Sequence, residues 1–244
     1  MHMTEKAMND LPCHLGHVPK INKNIVPTVA YLMILISYLF SHVVAAKNID
    51  AQLQQLNDKW ARTHFELNGQ HQTNAFVELI EQVDMLTFNH PMQADAWAWS
   101  GMIKSTFAQV SHSLVALSYI KAAKKDFEHA IELNANALTG TVYSHLGMLY
   151  HKAPIWPIAF GDDDVAEILL KKALVNAPNN KLSNLFYAQY LFNERRYHHA
   201  KKHLLIAKQI PLRTDCLIED KHRQSDVELL LAQVEKIIAR EPKR

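Results

Sequence analysis

The stretch from Tyr143 to Pro178 constrains the fold of this 244-residue chain more than any other part of the sequence. Residues 143–150 carry aromatic and small residues at helical spacing, and residues 166–177 again repeat apolar residues every three or four positions. Between them, Pro154 and Pro157 forbid a continuous helix, because proline has no N–H to donate to the preceding turn. We therefore expect two helices that pack against each other and are joined by an apolar, proline-rich loop.

Similar helix pairs are predicted on both sides of this stretch. In three successive pairs, a small residue of the first helix precedes an alanine of the second: Gly101 and Ala123, Gly147 and Ala166, and Ala188 and Ala200. The separations are 22, 19 and 12 residues. We expect the extra residues of the central pair to form its loop, and those of the preceding pair to lengthen its second helix. A small residue at this position would let the two helices of each pair approach closely.

This order of residues resembles the tetratricopeptide repeat (TPR), whose units of about 34 residues each form two helices. Ala173 and Ala207 are separated by 34 residues, which is one full period. The resemblance implies an all-α fold, a right-handed array of TPR-like antiparallel helix pairs. We expect a degenerate first pair over 50–67 and 73–88. A polar connector after Pro211 should lead to a C-terminal capping helix over 225–240.

The first 46 residues are typical of a targeting segment rather than of the helical array. Lys20 and Lys23 precede an apolar run over 25–40, and small residues follow it, as in a signal peptide that is cleaved after Ala46. The alternative is an uncleaved anchor in the inner membrane, because residues 25–46 are long enough to span a bilayer. We therefore expect a signal peptide or N-terminal membrane anchor over 1–46, a helical-repeat domain over 47–244, and export to the periplasm.

Charge and motif content argue against several classes of function. Residues 47–244 contain 23 Lys and Arg and 22 Asp and Glu, which gives no electrostatic reason to expect nucleic-acid binding. The sequence contains no motif of an esterase, a metalloprotease or a phosphate-binding loop, so we expect no catalytic residue and no enzyme activity. His199 and His203 share one helical face, but a zinc site needs a third ligand, so we expect neither a metal site nor a cofactor.

A second resemblance rests on longer motifs. The helix Trp97-x-Trp-x-Gly101, the segment Ala-Lys-Lys-Asp-Phe-Glu-His-Ala-Ile-Glu-Leu over 123–133, and Leu146-Gly-x-Leu-Tyr150 with the loop that follows resemble a family of exported bacterial TPR proteins. That family is similar to the T-component of tripartite ATP-independent periplasmic (TRAP) transporters. The resemblance implies a periplasmic helical protein that can form homo-oligomers and partners a solute-binding protein.

Two functions are open from the sequence alone. A stacked array presents a concave face, usually lined by the first helix of each pair, so the leading hypothesis is a binding or scaffold protein for a protein or peptide partner. The alternative, which the TRAP resemblance implies, is an accessory protein of solute uptake that holds a small apolar ligand. A membrane would be contacted only through an uncleaved leader. The residues expected to bind lie on the first helices and the central loop: Trp99, Lys104, Tyr143, Tyr150, Trp156 and Phe160.

The central loop has two interpretations. We expect Trp156 and Phe160 to pack against neighbouring helices, because extended apolar segments are seldom exposed to solvent. In the alternative, the loop overhangs the concave face and its aromatic residues anchor a ligand or peptide. One of Asp162, Asp163 and Asp164 is expected to cap the helix that follows, where free N–H groups favour a carboxylate.

Overall fold

A computed structural model describes residues 49–111, 113–214 and 216–241. The expected leader and its cleavage site lie outside these residues. The described residues form α-helices and one short 3-10 turn, with no strand among them, which confirms the all-α fold. Within the same residues, no helix combines the length and the apolar character needed to cross a bilayer.

Nine α-helices are found in the described part of the chain. The first, α1, covers residues 49–65. It is followed by α2 (Gly69–Asn89), α3 (Ala94–Val110), α4 (Ser113–Leu133), α5 (Val142–Lys152), α6 (Asp163–Asn176), α7 (Lys181–Asn193), α8 (Tyr197–Gln209) and α9 (Leu217–Ile238), with the 3-10 turn Ala137–Gly140 between α4 and α5. α4 is a long helix of 21 residues, which confirms that the extra residues of this pair lengthen its second helix.

Consecutive helices from α1 to α8 form antiparallel pairs. Along α3 and α4 the contacts run in opposite order: Trp97 with His129, Gly101 with Phe127, and Phe107 with Tyr119. Along α5 and α6 they do so as well: Tyr143 with Lys172, Gly147 with Leu170, and His151 with Asp163. The helix pairs predicted from the sequence are therefore present.

Two glycines allow these pairs to pack closely. A Cβ atom on Gly101 would lie 2.7 Å from the ring of Phe127, and one on Gly147 would lie 2.8 Å from Cγ of Leu170. Both distances are too short for carbon atoms without displacement of the neighbouring helix. The expectation that small residues occupy the helix contacts is confirmed at both positions.

The first helices of successive pairs run side by side. Ser144 of α5 and Ser183 of α7 are joined by a hydrogen bond of 3.0 Å between their hydroxyls. Further along, His151 contacts Tyr190, so the residue numbers rise together and the two helices are parallel. Trp60 of α1 similarly packs against α3, where its indole N–H donates to the Thr106 hydroxyl at 3.3 Å. These helices form a common face.

The last helix is longer than the sequence indicated. Residues 217–224 were expected in a polar connector, but α9 already begins at Leu217. The prediction was wrong because this segment is stabilised by charge rather than by apolar periodicity. Arg213 donates to Asp220 from its backbone N–H at 2.7 Å and from its guanidinium at 2.7 Å, and Asp220 is only 3% exposed. Further along, Val227, Leu231 and Val234 are buried, as expected of a capping helix.

The additional turns of α9 reach back to α1. The rings of Phe65 and His222 are stacked with centroids 4.4 Å apart, and the guanidinium of Arg223 lies 5.7 Å from the ring of Phe65. Asn57 of α1 also donates to Sγ of Cys216, just before α9, at 3.6 Å. The last helix thus contacts the first, and the array closes around an interior space.

The loop between α5 and α6 satisfies much of its own hydrogen bonding. Gly161 donates its backbone N–H to the carbonyl of Pro154 at 2.9 Å, and Ile158 donates to Ile155 at 3.1 Å. Asp162 then caps α6, where its carboxylate accepts from the N–H of Val165 at 3.0 Å, as predicted. The side chains of Ile155, Trp156 and Ile158 on this loop remain largely exposed to solvent.

Candidate ligand-binding cavity

A cavity of about 620 Å³, partly open to solvent, lies between the helices of the array. All four first helices (α1, α3, α5 and α7) contribute to its wall, together with α4, α9 and the central loop. The first helices thus contribute much of the wall, but not all of it. The lining residues are Trp60, His64, Met102, Ser105, Thr106, Ala108, Gln109, Ala116, Leu117, Ile120, His145, Met148, Leu149, Lys152, Ala153, Pro154, Ile158, Phe186, Gln189, Arg223 and Asp226.

One helical position faces the cavity in three successive pairs. It is the residue that follows the small residue at the helix contact: Met102 after Gly101, Met148 after Gly147, and Gln189 after Ala188. Successive residues on a helix lie about 100° apart, so this position points away from the partner helix. The repetition shows that the wall is built from equivalent positions of the pairs.

The wall is mainly apolar on the side formed by α3 and α4. Met102 of α3 is joined there by Ala116, Leu117 and Ile120 of α4. The polar side chains that α3 also contributes, those of Ser105, Thr106 and Gln109, each donate a hydrogen bond to a carbonyl of their own helix. This side of the cavity suits the hydrocarbon part of a ligand.

The charged groups of the wall come from α5 and α9. They are Lys152 near the end of α5, and Arg223 and Asp226 one turn apart on α9. The guanidinium of Arg223 lies between two aromatic rings, at 5.7 Å from Phe65 and 5.3 Å from Phe186. Such stacking fixes the plane of a guanidinium while it leaves the N–H edge free to donate.

Arg223 is close to carboxylates but does not hydrogen-bond to them. Its Nε lies 3.6 Å from the Glu219 carboxylate, and its Nη1 lies 4.0 Å from that of Asp226. Among the described residues, the buried Nε atom of Arg223 and the buried Nδ1 atom of His64 have no hydrogen-bond partner. Buried polar atoms are nearly always hydrogen-bonded, so these two atoms distinguish the site from ordinary core.

Two histidines of the wall are held in the neutral form. Burial, followed by the charge of Arg223 and the charges of His222 and Lys152, lowers the pKa of His64 to about 4. Burial and then Arg223 lower the pKa of His145 to about 3. The ring of His145 also stacks on Phe127 with centroids 5.9 Å apart. Both imidazoles are therefore uncharged near neutral pH, where each can donate and accept one hydrogen bond.

Lys152 has a solvent-accessible side chain that faces the cavity. Protein atoms nevertheless surround its ammonium group, and this burial, followed by the charge of Arg223, lowers the pKa of Lys152, while Asp226 opposes the effect. No ion pair or hydrogen bond joins the Lys152 side chain to another described residue. The ammonium group therefore has donors available to a bound molecule.

The residues predicted on the first helices do not line this cavity. Trp99 is buried behind the wall, with its ring edge-to-face against Trp60 at 5.9 Å. Tyr143 is buried on the opposite side of α5, under the ammonium of Lys172. Lys104 points to α2 and α4 and forms ion pairs with their carboxylates. These three residues have structural contacts rather than the binding geometry expected from the sequence.

Only two of the six predicted residues lie together. The rings of Tyr150 and Phe160 are edge-to-face at 5.1 Å, and the ammonium of Lys124 lies 5.7 Å from each of them. The prediction that Phe160 packs against the helices is therefore confirmed. The same prediction for Trp156 is wrong, because its side chain is 82% exposed. The loop instead contributes Pro154 and Ile158 to the edge of the cavity.

The histidines of α8 do not form a ligand cluster. Nδ1 of His203 lies 3.0 Å from the side-chain oxygen of Asn184, and His198 is 3.1 Å from Glu241. Within the described parts of the chain, no three His, Cys, Asp or Glu residues are grouped so that they could hold a metal ion.

Comparison with models of known protein families and with curated proteins finds no match for this chain.

Proposed function

We propose that this chain is a non-enzymatic binding protein that holds a small, largely apolar molecule in its interior cavity. The observation that carries the proposal is the cavity of about 620 Å³ between the first helices. Ligand sites are typically cavities of about 300–1,000 Å³ with apolar walls and a few polar groups that orient the ligand.

The architecture behind this proposal is a right-handed, TPR-like array. The parallel first helices, the antiparallel pairing and the small residues at the contacts all support it. Of the two functions open from the sequence, the cavity favours the second, an accessory protein of solute uptake similar to the T-component of TRAP transporters. On this proposal the protein is periplasmic and delivers or receives its ligand through a solute-binding protein.

The cavity can be tested by filling it. Ala116 is half-buried and lines the wall on α4, so Ala116→Phe should occupy part of the space without removing any contact. Leu114, on the same helix, is 84% exposed, and Leu114→Phe provides the matched control. We expect the neutral fluorescent probe N-phenyl-1-naphthylamine to bind the wild type and the control equally, and to bind Ala116→Phe at least about tenfold more weakly.

Equal binding of the probe to both variants would place it outside the cavity and contradict the proposal. Absence of probe binding to the wild type would contradict it as well. Circular dichroism of each variant confirms that a loss of binding does not reflect unfolding.

A second candidate function is suggested by the central loop. Ile155, Trp156 and Ile158 are 72%, 82% and 59% exposed, an unusual cluster of large apolar side chains on one loop. Exposed aromatic residues of this kind often anchor protein partners. If the loop binds a partner such as a periplasmic solute-binding protein, Trp156→Ala should abolish capture of that partner while probe binding in the cavity is unchanged. Equal capture by the wild type and the variant would exclude this role.

Export is the localisation that we propose for the chain. Mass spectrometry of the protein from a periplasmic fraction should find an N-terminus at or near Lys47. Full-length protein in the cytosol would contradict export, and full-length protein in the membrane fraction would favour the anchored alternative.

A further inference from the structure

We propose that Arg223 and Lys152 form an anion-binding end of the cavity, and that the ligand is an apolar monocarboxylate. Its carboxylate would lie at α5 and α9, and its hydrocarbon body would lie against α3 and α4. This inference rests on the proposed function, because it specifies the chemical class of molecule that the same cavity binds.

Arg223 carries a hydrogen-bond donor that the described residues leave unpaired. The side chain is only 12% exposed, its guanidinium is held between Phe65 and Phe186, and its Nε has no hydrogen-bond partner among the described residues. A guanidinium presents Nε and one Nη as a planar fork that matches the two oxygens of a carboxylate. A carboxylate in this position would satisfy a donor that the protein itself leaves unpaired.

Lys152 supplies a second cation from a different helix. It lies at the last position of α5, whereas Arg223 lies in the second turn of α9, and both line the cavity. Two cations that line the same cavity and lack complete ion pairs repel each other, which destabilises the fold. An anion bound between them removes this repulsion. A bound carboxylate would accept hydrogen bonds from both groups and offset their mutual repulsion.

The charge balance of the wall favours a single negative charge on the ligand. Two cations, Lys152 and Arg223, face one carboxylate, Asp226, and the two histidines of the wall are neutral near pH 7. Behind the wall, Arg213 and Lys181 balance Glu219 and Asp220. The net charge at the cavity is therefore close to +1. A monocarboxylate complements this charge, whereas a phosphate dianion would leave one negative charge unbalanced.

The apolar side of the cavity defines the rest of the ligand. Met102, Ala116, Leu117 and Ile120 belong to α3 and α4, whereas the charged groups belong to α5 and α9. A molecule that is polar at one end and hydrocarbon over the remainder would meet both surfaces. Fatty acids and aryl-alkyl carboxylates have this form.

The test uses the full chain and three matched ligands. Dodecanoate, dodecan-1-ol and dodecyl phosphate share one hydrocarbon chain, and each is titrated against bound N-phenyl-1-naphthylamine. For the wild type, we expect dodecanoate to displace the probe at least about tenfold more effectively than dodecan-1-ol, because a hydrogen bond to a charged group contributes that much affinity. Dodecyl phosphate should bind more weakly than dodecanoate.

Variants assign the preference to particular residues. Arg223→Met removes the guanidinium but retains most of the volume of the side chain. It should weaken the binding of dodecanoate by about 10–100-fold and leave the binding of dodecan-1-ol almost unchanged. Lys152→Met should have a smaller effect in the same direction, about 3–10-fold, because a single ammonium group cannot form the paired, planar hydrogen bonds of a guanidinium. Arg62→Met, which removes an exposed arginine of α1 away from the cavity, should leave all three ligands unaffected.

Several outcomes would overturn the inference. Equal displacement by dodecanoate and dodecan-1-ol in the wild type would refute anion recognition, although probe binding would still support an apolar cavity. Tighter binding of dodecyl phosphate would refute the monocarboxylate. If Arg223→Met does not fold, the Lys152→Met variant serves as the test. An unchanged ratio of dodecanoate to dodecan-1-ol affinity in that variant would refute the anion site. Failure of the probe itself to bind refutes both this inference and the proposed function.

Discussion

Two lysines on neighbouring first helices illustrate how differently the two sides of these helices are used. Lys104 of α3 faces α2 and α4, where its ammonium lies 2.9 Å from Asp84 and 2.8 Å from Asp126. Lys152 of α5 faces the cavity and has no partner among the described residues. Burial by itself lowers the pKa of Lys104, but the hydrogen bonds and charges of Asp126 and Asp84 raise it overall. The pKa of Lys152 is lowered.

The difference separates a structural cation from one that is available for binding. On the partner side, the buried charges of Lys104 and Asp126 are matched: the Ser100 hydroxyl donates to Asp126 at 2.7 Å, next to the ion pair with Lys104. On the cavity side, Arg223 and Lys152 have incomplete pairing. Unpaired charge in a poorly solvated region destabilises a fold, so the second arrangement is better explained by a ligand than by stability.

The largest expected effect concerns the paired side. Lys104→Met removes the cation and leaves the buried carboxylate of Asp126 with one hydroxyl donor, so we expect the free energy of unfolding to fall by about 3–5 kcal/mol. Urea denaturation monitored by circular dichroism measures this change. Asp84→Asn is the control: its side chain is 53% exposed, so the loss should be about 1 kcal/mol or less. Equal losses in the two variants would remove the distinction between the buried and the exposed partner.

The second prediction concerns packing on the same side. Gly147→Leu places a side chain where even a Cβ atom would lie 2.8 Å from Leu170, so overpacking should destabilise the protein by about 1–3 kcal/mol. The measurement is again urea denaturation. Met148→Leu, one residue further on, changes a side chain that faces the cavity with little change in volume, and it should have a much smaller effect. An unchanged midpoint for Gly147→Leu would mean that α5 and α6 do not meet at this residue.

The third prediction concerns pH and the cavity side. The pKa values of His64 and His145 are about 4 and about 3 in the folded protein, below the ordinary value of a histidine. In the unfolded chain, both histidines have a pKa of about 6.5 and therefore bind protons at a higher pH than they do in the folded protein. Their contribution to the free energy of unfolding is fully present above about pH 6.5 and is lost as the pH falls from about 6.5 towards the folded pKa values. From about pH 7 to 5.5, each histidine should contribute a loss of about 1 kcal/mol.

Thermal unfolding at several pH values measures this loss. The variant His64→Gln cannot titrate at this position, so its melting temperature should depend less on pH than that of the wild type. Identical pH profiles would show that His64 is accessible enough to be protonated in the folded state, which would weaken the contrast between the two sides.

The smallest expected effect concerns the loop. Trp156 is 82% exposed, so Trp156→Ala should change the free energy of unfolding by no more than about 0.5 kcal/mol. Phe160→Ala is the internal comparison, because that ring packs against Tyr150, and its removal should have a clearly larger effect. A marked loss of stability in Trp156→Ala would restore the interpretation of this residue as part of the core.

The helix pairs could be predicted because their signals are local. Gly147 and Leu170 occupy helical positions whose spacing indicates contact irrespective of the rest of the chain. The side of the first helices that lines the cavity could not be predicted in this way. Lys104 and Tyr150 both lie three positions after the glycine of their helix, on the side that faces neighbouring helices. The residue one position after the glycine lines the cavity instead. On an α-helix these two positions are about 200° apart. The spacing of residues indicates that each first helix has two faces, but it does not indicate which face lines the cavity.

Arg223 was missed for a different reason. It lies in a charged segment of α9 without apolar periodicity, which on sequence criteria is typical of a connector. Its role depends on contacts with Phe65, which is 158 positions earlier in the chain, and on the ion pairs that fix the start of the helix. Contacts of such separation cannot be read from spacing. The one signal available was the high density of charge in a segment next to a predicted amphipathic helix.

The contact between α1 and α9 also limits how this protein can change in length. An open array of repeats can gain or lose a unit at either end, because each unit touches only its neighbours. Here, the stacked rings of Phe65 and His222 join the two ends. An additional helix pair would move these ends apart and open the cavity wall at Arg223. The contact between α1 and α9 thus couples the number of helix pairs to closure, much as the number of strands is coupled to closure in a barrel.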